Sequence, residues 1–187
     1  GRAHLERGIA HVRLGERESA RLDLDRAVAL HPDCAAAYYA RGTLRLNLDE
    51  DDRASISDFN RALELRPGFP EVLLERGRAH LRLGAHAQAL QDFHSAVRLS
   101  PCSEAYARRG IAHFALKSLD LAEKDFASAL ELEPGCYPAL FHRGQIRQGD
   151  GRNDLAAEDF RAALRHAPED WEFRSECGER LRAVTPP

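Results

Sequence analysis

Five prolines, Pro32, Pro67, Pro101, Pro134 and Pro168, stand 35, 34, 33 and 34 residues apart, and each closes the same kind of phrase: DLDRAVALHP, DFNRALELRP, DFHSAVRLSP, DFASALELEP and DFRAALRHAP. Five glycines, Gly8, Gly42, Gly77, Gly110 and Gly144, keep the same beat at 34, 35, 33 and 34 residues. Two markers that drift together in this way exclude a single round core. They require stacked copies of one unit, each too thin to bury its apolar surface alone.

Within each unit the apolar residues follow helical spacing, with a soft break near the middle at Gly15, Asp49, Gly84, Lys117 and Gly151, and a hard break at the closing proline. Proline lacks an amide hydrogen and clashes with the turn before it, so a second helix must end there. Each unit therefore reads as two antiparallel helices, and the chain as all-α. Places are counted so that the recurring glycine is place 8. That glycine lies inside the first helix, where it costs about 0.5–1 kcal/mol relative to alanine. Close helix approach is the expected compensation, with small residues facing small at Ala20, Ser55, Ala89, Ala122 and Ala156 and at Ala27, Ala62, Ala96, Ala129 and Ala163. The large residue at place 24, Leu24, Phe59, Phe93, Phe126 or Phe160, is expected to fill the gap between neighbouring pairs.

Glycine at place 8, a small residue at 20, an aromatic at 24, alanine at 27 and proline at 32 resemble the tetratricopeptide repeat. The resemblance covers residues 1–168, and it implies an α-solenoid: a right-handed superhelix of tandem antiparallel hairpins, about 11 helices in all, with a concave face lined by the first helices. The expected division is one domain over 1–184, with repeats at 1–34, 35–69, 70–102, 103–136 and 137–170. A capping helix at 171–184 then buries Phe173, Cys177, Leu181 and Val184, and turns Glu172, Arg174, Glu176, Glu179 and Arg182 outward. Residues 185–187 form a tail. The chain has no methionine and its first residue already sits inside the pattern, so it reads as a segment of a longer protein.

A net charge of −3 and a pI near 6.3 supply no basic field for nucleic-acid phosphates, and no apolar run is long enough for a bilayer. Cys34, Cys102, Cys136 and Cys177 are far apart and form no CxxC pair, so neither a disulfide framework nor a zinc site is indicated. A reducing, intracellular and cytoplasmic setting is expected. His11, His80 and His113 recur at place 11, but adjacent copies are a repeat apart, while transition-metal ligands sit about 2 Å from the ion. They read as packing residues, with no metal and no cofactor. The acidic run Asp49-Glu50-Asp51-Asp52 lacks the alternating ligands and central glycine of a calcium loop and reads as solvated. No GxSxG, HExxH, P-loop or complete GxGxxG occurs, and nothing argues for an enzyme.

One charged pair recurs in every unit: Arg7, Arg41, Arg76, Arg109 and Arg143 at place 7, with Asp23, Asp58, Asp92, Asp125 and Asp159 at place 23. The arginines could form a row that receives an acidic partner. The reading favoured here is a structural ladder that ties first helices to second helices, within or between units.

Ligands of the resembled family lie along the concave face, which here implies Leu5, Ile9, Tyr39, Thr43, Leu74, Arg78, Arg108, Ile111, Phe141, His142 and Gln145, flanked by Glu6, Glu71, Glu75 and Glu104. Such a mixed surface suits a peptide segment or helix of another protein. Chaperone-binding members grip a C-terminal carboxylate with Lys, Asn, Asn, Lys and Arg. The corresponding places of units 1–3 hold Leu5, Ile9, Ala40, Glu71 and Glu75, units 2–4 hold Tyr39, Thr43, Glu75, Glu104 and Arg108, and units 3–5 hold Leu74, Arg78, Arg108, Pro138 and His142. An Hsp70 or Hsp90 co-chaperone role is disfavoured. The expected function is a non-catalytic interaction scaffold. The alternative is a structural segment of a large assembly, ciliary or cytoskeletal for example, docking by its convex face and ends.

Overall fold

A computed structural model describes residues 1–185; Pro186 and Pro187 of the expected tail lie outside the described residues. Among the described residues there are eleven α-helices and no strand. They are α1 (Arg2–Leu14), α2 (Arg17–Leu30), α3 (Ala35–Asn47), α4 (Asp52–Leu65), α5 (Pro70–Arg82), α6 (His86–Leu99), α7 (Ser103–Ala115), α8 (Leu119–Leu132), α9 (Tyr137–Gly149), α10 (Asn153–His166) and α11 (Arg174–Val184). Two compact units form, Gly1–Leu99 and Ser100–Pro187.

In the first unit α1 pairs with α2, α3 with α4, and α5 with α6, while α2 also packs on α3 and α4 on α5. Contacts link α1 to α3 and α3 to α5, with no comparable contact from α2 to α4 or α4 to α6. First helices crowd together and second helices splay, so α1, α3 and α5 form the inner layer. In the second unit α7 pairs with α8 and α9 with α10, α7 touches α9, and α11 packs on α10.

The middle of every hairpin turns through a residue in the left-handed region. Gly15, Gly84 and Gly151 take φ of 71–73°, and Lys117 takes 61°. The amide after each of them closes back on a carbonyl of the first helix, as Glu16 does to His11 and Ser118 to His113, which satisfies the frayed end. In the second hairpin the left-handed residue is Glu50 (φ 54°), one place later than the expected Asp49. The extra residue of that repeat widens the turn, and the Asp51 carboxylate accepts the amide of Ala54 to start α4.

The recurring glycine faces a large side chain rather than a small one. A Cβ on Gly42, Gly77, Gly110 or Gly144 would lie 2.5–2.6 Å from the ring of Phe59, Phe93, Phe126 or Phe160, and one on Gly8 would lie 2.8 Å from Leu24. The missing methyl group is the space that the place-24 side chain occupies, inside its own hairpin and fully buried. The small residues at places 20 and 27, Ser55 in the second hairpin and alanine at every other such position, complete each core.

The capping helix begins at Arg174, three residues later than expected, because Pro168–Phe173 is spent in turns. Cys177 and Val184 are buried and Leu181 packs on their cluster, whereas Phe173 stays 36% exposed. Arg174 does not point outward: its Nη1 donates to the carbonyls of Leu164 and Ala167 and finishes α10. Gly178 keeps the beat, yet a Cβ there would meet only Arg182 Nη1 at 3.9 Å, since no second helix covers it.

Candidate functional site

The expected binding residues fall on the first helices of both units. In the first unit Ile9, Tyr39, Thr43 and Arg78 are half-buried on the inner layer, while Leu5 and Leu74 are each 9% exposed and serve mainly as walls. Ala36 and Asn47 of α3 are exposed between them, with Glu6 on α1 and Glu71 on α5 at the edges. Tyr39 packs against Phe59 and Phe69, with ring centroids 6.3 and 5.3 Å apart. Arg78 spans to Glu75 in its own helix at 2.6 Å and donates to Asn47 of α3. Arg82 clamps the Leu46 carbonyl and Asp52. The layer is thus a short row of small and aliphatic side chains bordered by charge.

In the second unit the corresponding positions are largely taken by the chain itself. Phe141, expected as an anchor, is 1% exposed, because Trp171 meets it edge-on at 5.2 Å and Phe173 stacks on it at 5.5 Å. His142 is enclosed by the rings of Phe114, Phe126, Phe141 and Phe173. Burial pushes its pKa down to about 4, with a hydrogen bond to Gln145 opposing the shift. Gln145 also reaches Glu176, and Gln148 accepts from Arg180 of α11. Arg108 folds back on Glu104 in its own helix, and Ile111 is half-buried. Only Trp171 and Phe173, which lie outside the 34-residue pattern, reveal that α11 seals this surface.

The arginine-aspartate pairs have one geometry throughout. In each hairpin the place-7 arginine donates from Nε and Nη2 to the two carboxylate oxygens of its own place-23 aspartate, at 2.5–3.0 Å. All five aspartates are buried. The fork that an incoming carboxylate would need is already engaged, and the pairs join the two helices of one hairpin. A further donor reaches back to the preceding hairpin, from Arg41 to Asp25 and from Arg76 to Asn60. Place 11 adds a second neighbour: Arg45 and Arg147 bond to Asp58 and Asp159 at 2.8 and 2.9 Å, whereas His11, His80 and His113 stand 3.7–3.8 Å from their aspartates. The Arg7 guanidinium holds the Asp23 carboxyl well below the usual carboxylate range, against the opposing effect of burial. Burial pushes His80 below the usual histidine range.

Among the described residues no group of three or more His, Cys, Asp or Glu side chains is placed to hold a metal ion, and no helix is long and apolar enough to cross a membrane.

A family profile described as Tetratricopeptide repeat matches residues 5–70, 50–101, 74–139 and 141–179. Over 90 residues the chain is 39% identical to the lipoprotein NlpI homolog of Haemophilus influenzae, a match covering 48% of this chain and 28% of that protein. The chain thus spans less than a third of that relative's length. TTC0263, a thermophilic TPR protein of Thermus thermophilus, superposes with a TM-score of 0.75 at 22% identity, over 96% of this chain and 98% of that one. The first TPR of Spaghetti (RPAP3), solved bound to the HSP90 peptide SRMEEVD, superposes with a TM-score of 0.60 at 30% identity, over 63% of this chain and 93% of that one.

Proposed function

The chain belongs to the tetratricopeptide repeat family, whose members generally mediate protein–protein interactions, and on that premise we propose that this one is a non-catalytic interaction module. It takes a peptide segment or helix of a partner protein on the inner layer formed by α1, α3 and α5. The observation that supports this reading is the half-exposed row of Ile9, Tyr39, Thr43 and Arg78, apolar in the middle and charged at its borders, on three adjacent helices. Aromatic and aliphatic anchors of this kind fix a partner segment while the charges set its register. We read the repeats as 1–34, 35–69, 70–102, 103–136 and 137–170 of one domain, acting without a cofactor in a reducing intracellular compartment.

The HSP90 peptide bound by the RPAP3 domain does not transfer to this chain. Where a carboxylate clamp would stand, α1, α3 and α5 offer Leu5, Ile9, Ala40, Glu71 and Glu75, and two glutamates repel a carboxylate. The balanced charge likewise gives nucleic-acid phosphates no purchase. Docking into a large assembly by the outer helices is the second reading, and it is favoured by the exposed leucines Leu22, Leu121 and Leu155 on second helices.

Partner capture with the intact chain separates the two. Tyr39→Ala combined with Arg78→Ala abolishes the capture if the inner layer is the site, and Leu121→Ser combined with Leu155→Ser leaves it unchanged. The reverse pattern moves the function to the outer helices.

A further inference from the structure

We propose that the cavity between the first and second hairpins is a socket for an aromatic side chain of a partner protein. The cavity measures about 440 Å³, within the size range of small-ligand sites. Its apolar wall is Gly1, Leu5, Ala27 and Ala37, at places 1, 5 and 27 of the first repeat and place 3 of the second, with Cys34 beside them.

The repeat supplies an internal standard for what such a wall holds. Between the second and third hairpins the same four places are Ala35, Tyr39, Ala62 and Val72; Ala62 and Val72 share one core cluster with Phe69, which is 9% exposed, and Ala35 and Tyr39 pack against that cluster. Phe69 is the residue before α5, as Cys34 is the residue before α3, so the two occupy one place of the repeat. Phe69 plugs its niche, with its ring 5.3 Å from that of Tyr39, and Cys34 is too small to plug the other. A third copy lies at the end of the second unit. There Trp171 fills the space against Tyr137 and Phe141, at places 1 and 5, with centroids 5.2 Å away in both cases, and Ala163 at place 27 belongs to the same cluster. Where place 34 is Cys136, place 5 is the small Ala107, and Cys136 itself is buried. The open niche thus combines a small residue at place 34, Cys34, with a leucine at place 5, Leu5.

The rim points to an aromatic occupant. Arg66 lies over the Phe69 ring, its Cζ 4.4 Å from the centroid, and the residue at that place in the first repeat is His31, which lines the cavity. His31 can stack on an inserted ring as Arg66 does on Phe69. Arg2, Glu6 and Asp33 complete the rim and face the polar backbone on either side of the inserted residue. The identity of the occupant as a protein side chain rests on the interaction-module reading; the shape of the socket does not.

The test uses N-acetyl-phenylalaninamide as the probe, titrated into the intact chain and followed by NMR. Saturable shifts are expected at the Leu5, Ala27 and Ala37 methyls and the His31 ring, and not at Tyr39 or Thr43. Cys34→Phe supplies the plug found in the second repeat and is expected to abolish these shifts while raising the melting temperature. His31→Ala, an exposed rim change, weakens the probe several-fold. No saturable shifts at the niche, or an affinity unchanged in His31→Ala, overturns the socket. So does probe binding that survives in folded Cys34→Phe. The socket uses none of Tyr39, Thr43 or Arg78, so failure of the probe leaves the inner-layer reading standing, and failure of the Tyr39/Arg78 capture experiment leaves the socket intact.

Discussion

Removing one arginine from the ladder should expose how much the buried aspartates depend on it. In Arg109→Ala, Asp125 loses bonds of 2.8 and 2.6 Å, stays buried, and keeps only His113 at 3.8 Å. Breaking a buried pair by deleting one partner costs about 3–5 kcal/mol, because the remaining charge has no compensation. That is several times the ~0–1 kcal/mol of an exposed rung. Arg76→Ala leaves Asp92 in the same position, with His80 at 3.8 Å, and belongs to the same class. Arg41→Ala and Arg143→Ala differ, since Arg45 and Arg147 still bond to Asp58 and Asp159. A retained charge-assisted bond holds back about 1.5–3 kcal/mol. Urea denaturation followed by far-UV circular dichroism should therefore sort four chemically identical substitutions into a severe pair, at 76 and 109, and a mild pair, at 41 and 143. Four equal losses, or an Arg109→Ala loss below about 1 kcal/mol, would refute the reasoning that burial and the place-11 neighbour set the cost.

Two further outcomes follow from buried titratable groups. His142 is held at about 4 against an ordinary 6.5, so the folded chain resists its protonation: its contribution is complete above pH 6.5 and is lost as pH falls toward 4, by about 3 kcal/mol. His142→Phe should flatten that part of the stability profile, and an unchanged acid slope would show that the aromatic enclosure does not form. Burial raises the Cys177 thiol to about 11, so it should resist iodoacetamide until the chain unfolds while half-exposed Cys34 and Cys102 react; equal rates by mass spectrometry would contradict the packing of α11.

Much of the architecture was legible because it repeats. Proline at place 32 and a left-handed residue at mid-unit punctuate every hairpin, and opposite charges 16 or 17 residues apart had to meet once the helices folded back. The glycine's purpose was legible only as close approach; that it houses the ring of place 24 needed the three-dimensional contact. What escaped the sequence lay where the period is broken. One inserted residue moved the second turn from Asp49 to Glu50. The stretch before α11 placed Trp171 and Phe173 over Phe141, so a residue expected to meet a partner became core. The socket escaped for a different reason: it is made by a side chain too small for its place, and only Phe69 and Trp171 in equivalent niches show what is missing at Cys34.

We place partner binding on the layer formed by α1, α3 and α5. Its most direct test is a photo-crosslinking residue placed at Thr43, on the inner layer, or at Arg61, on the exposed outer side of α4. A captured partner is expected to crosslink through position 43 and not through position 61, with the crosslinked peptide mapping to one segment of that partner. Crosslinking through 61 alone would contradict it and move the function to the outer helices.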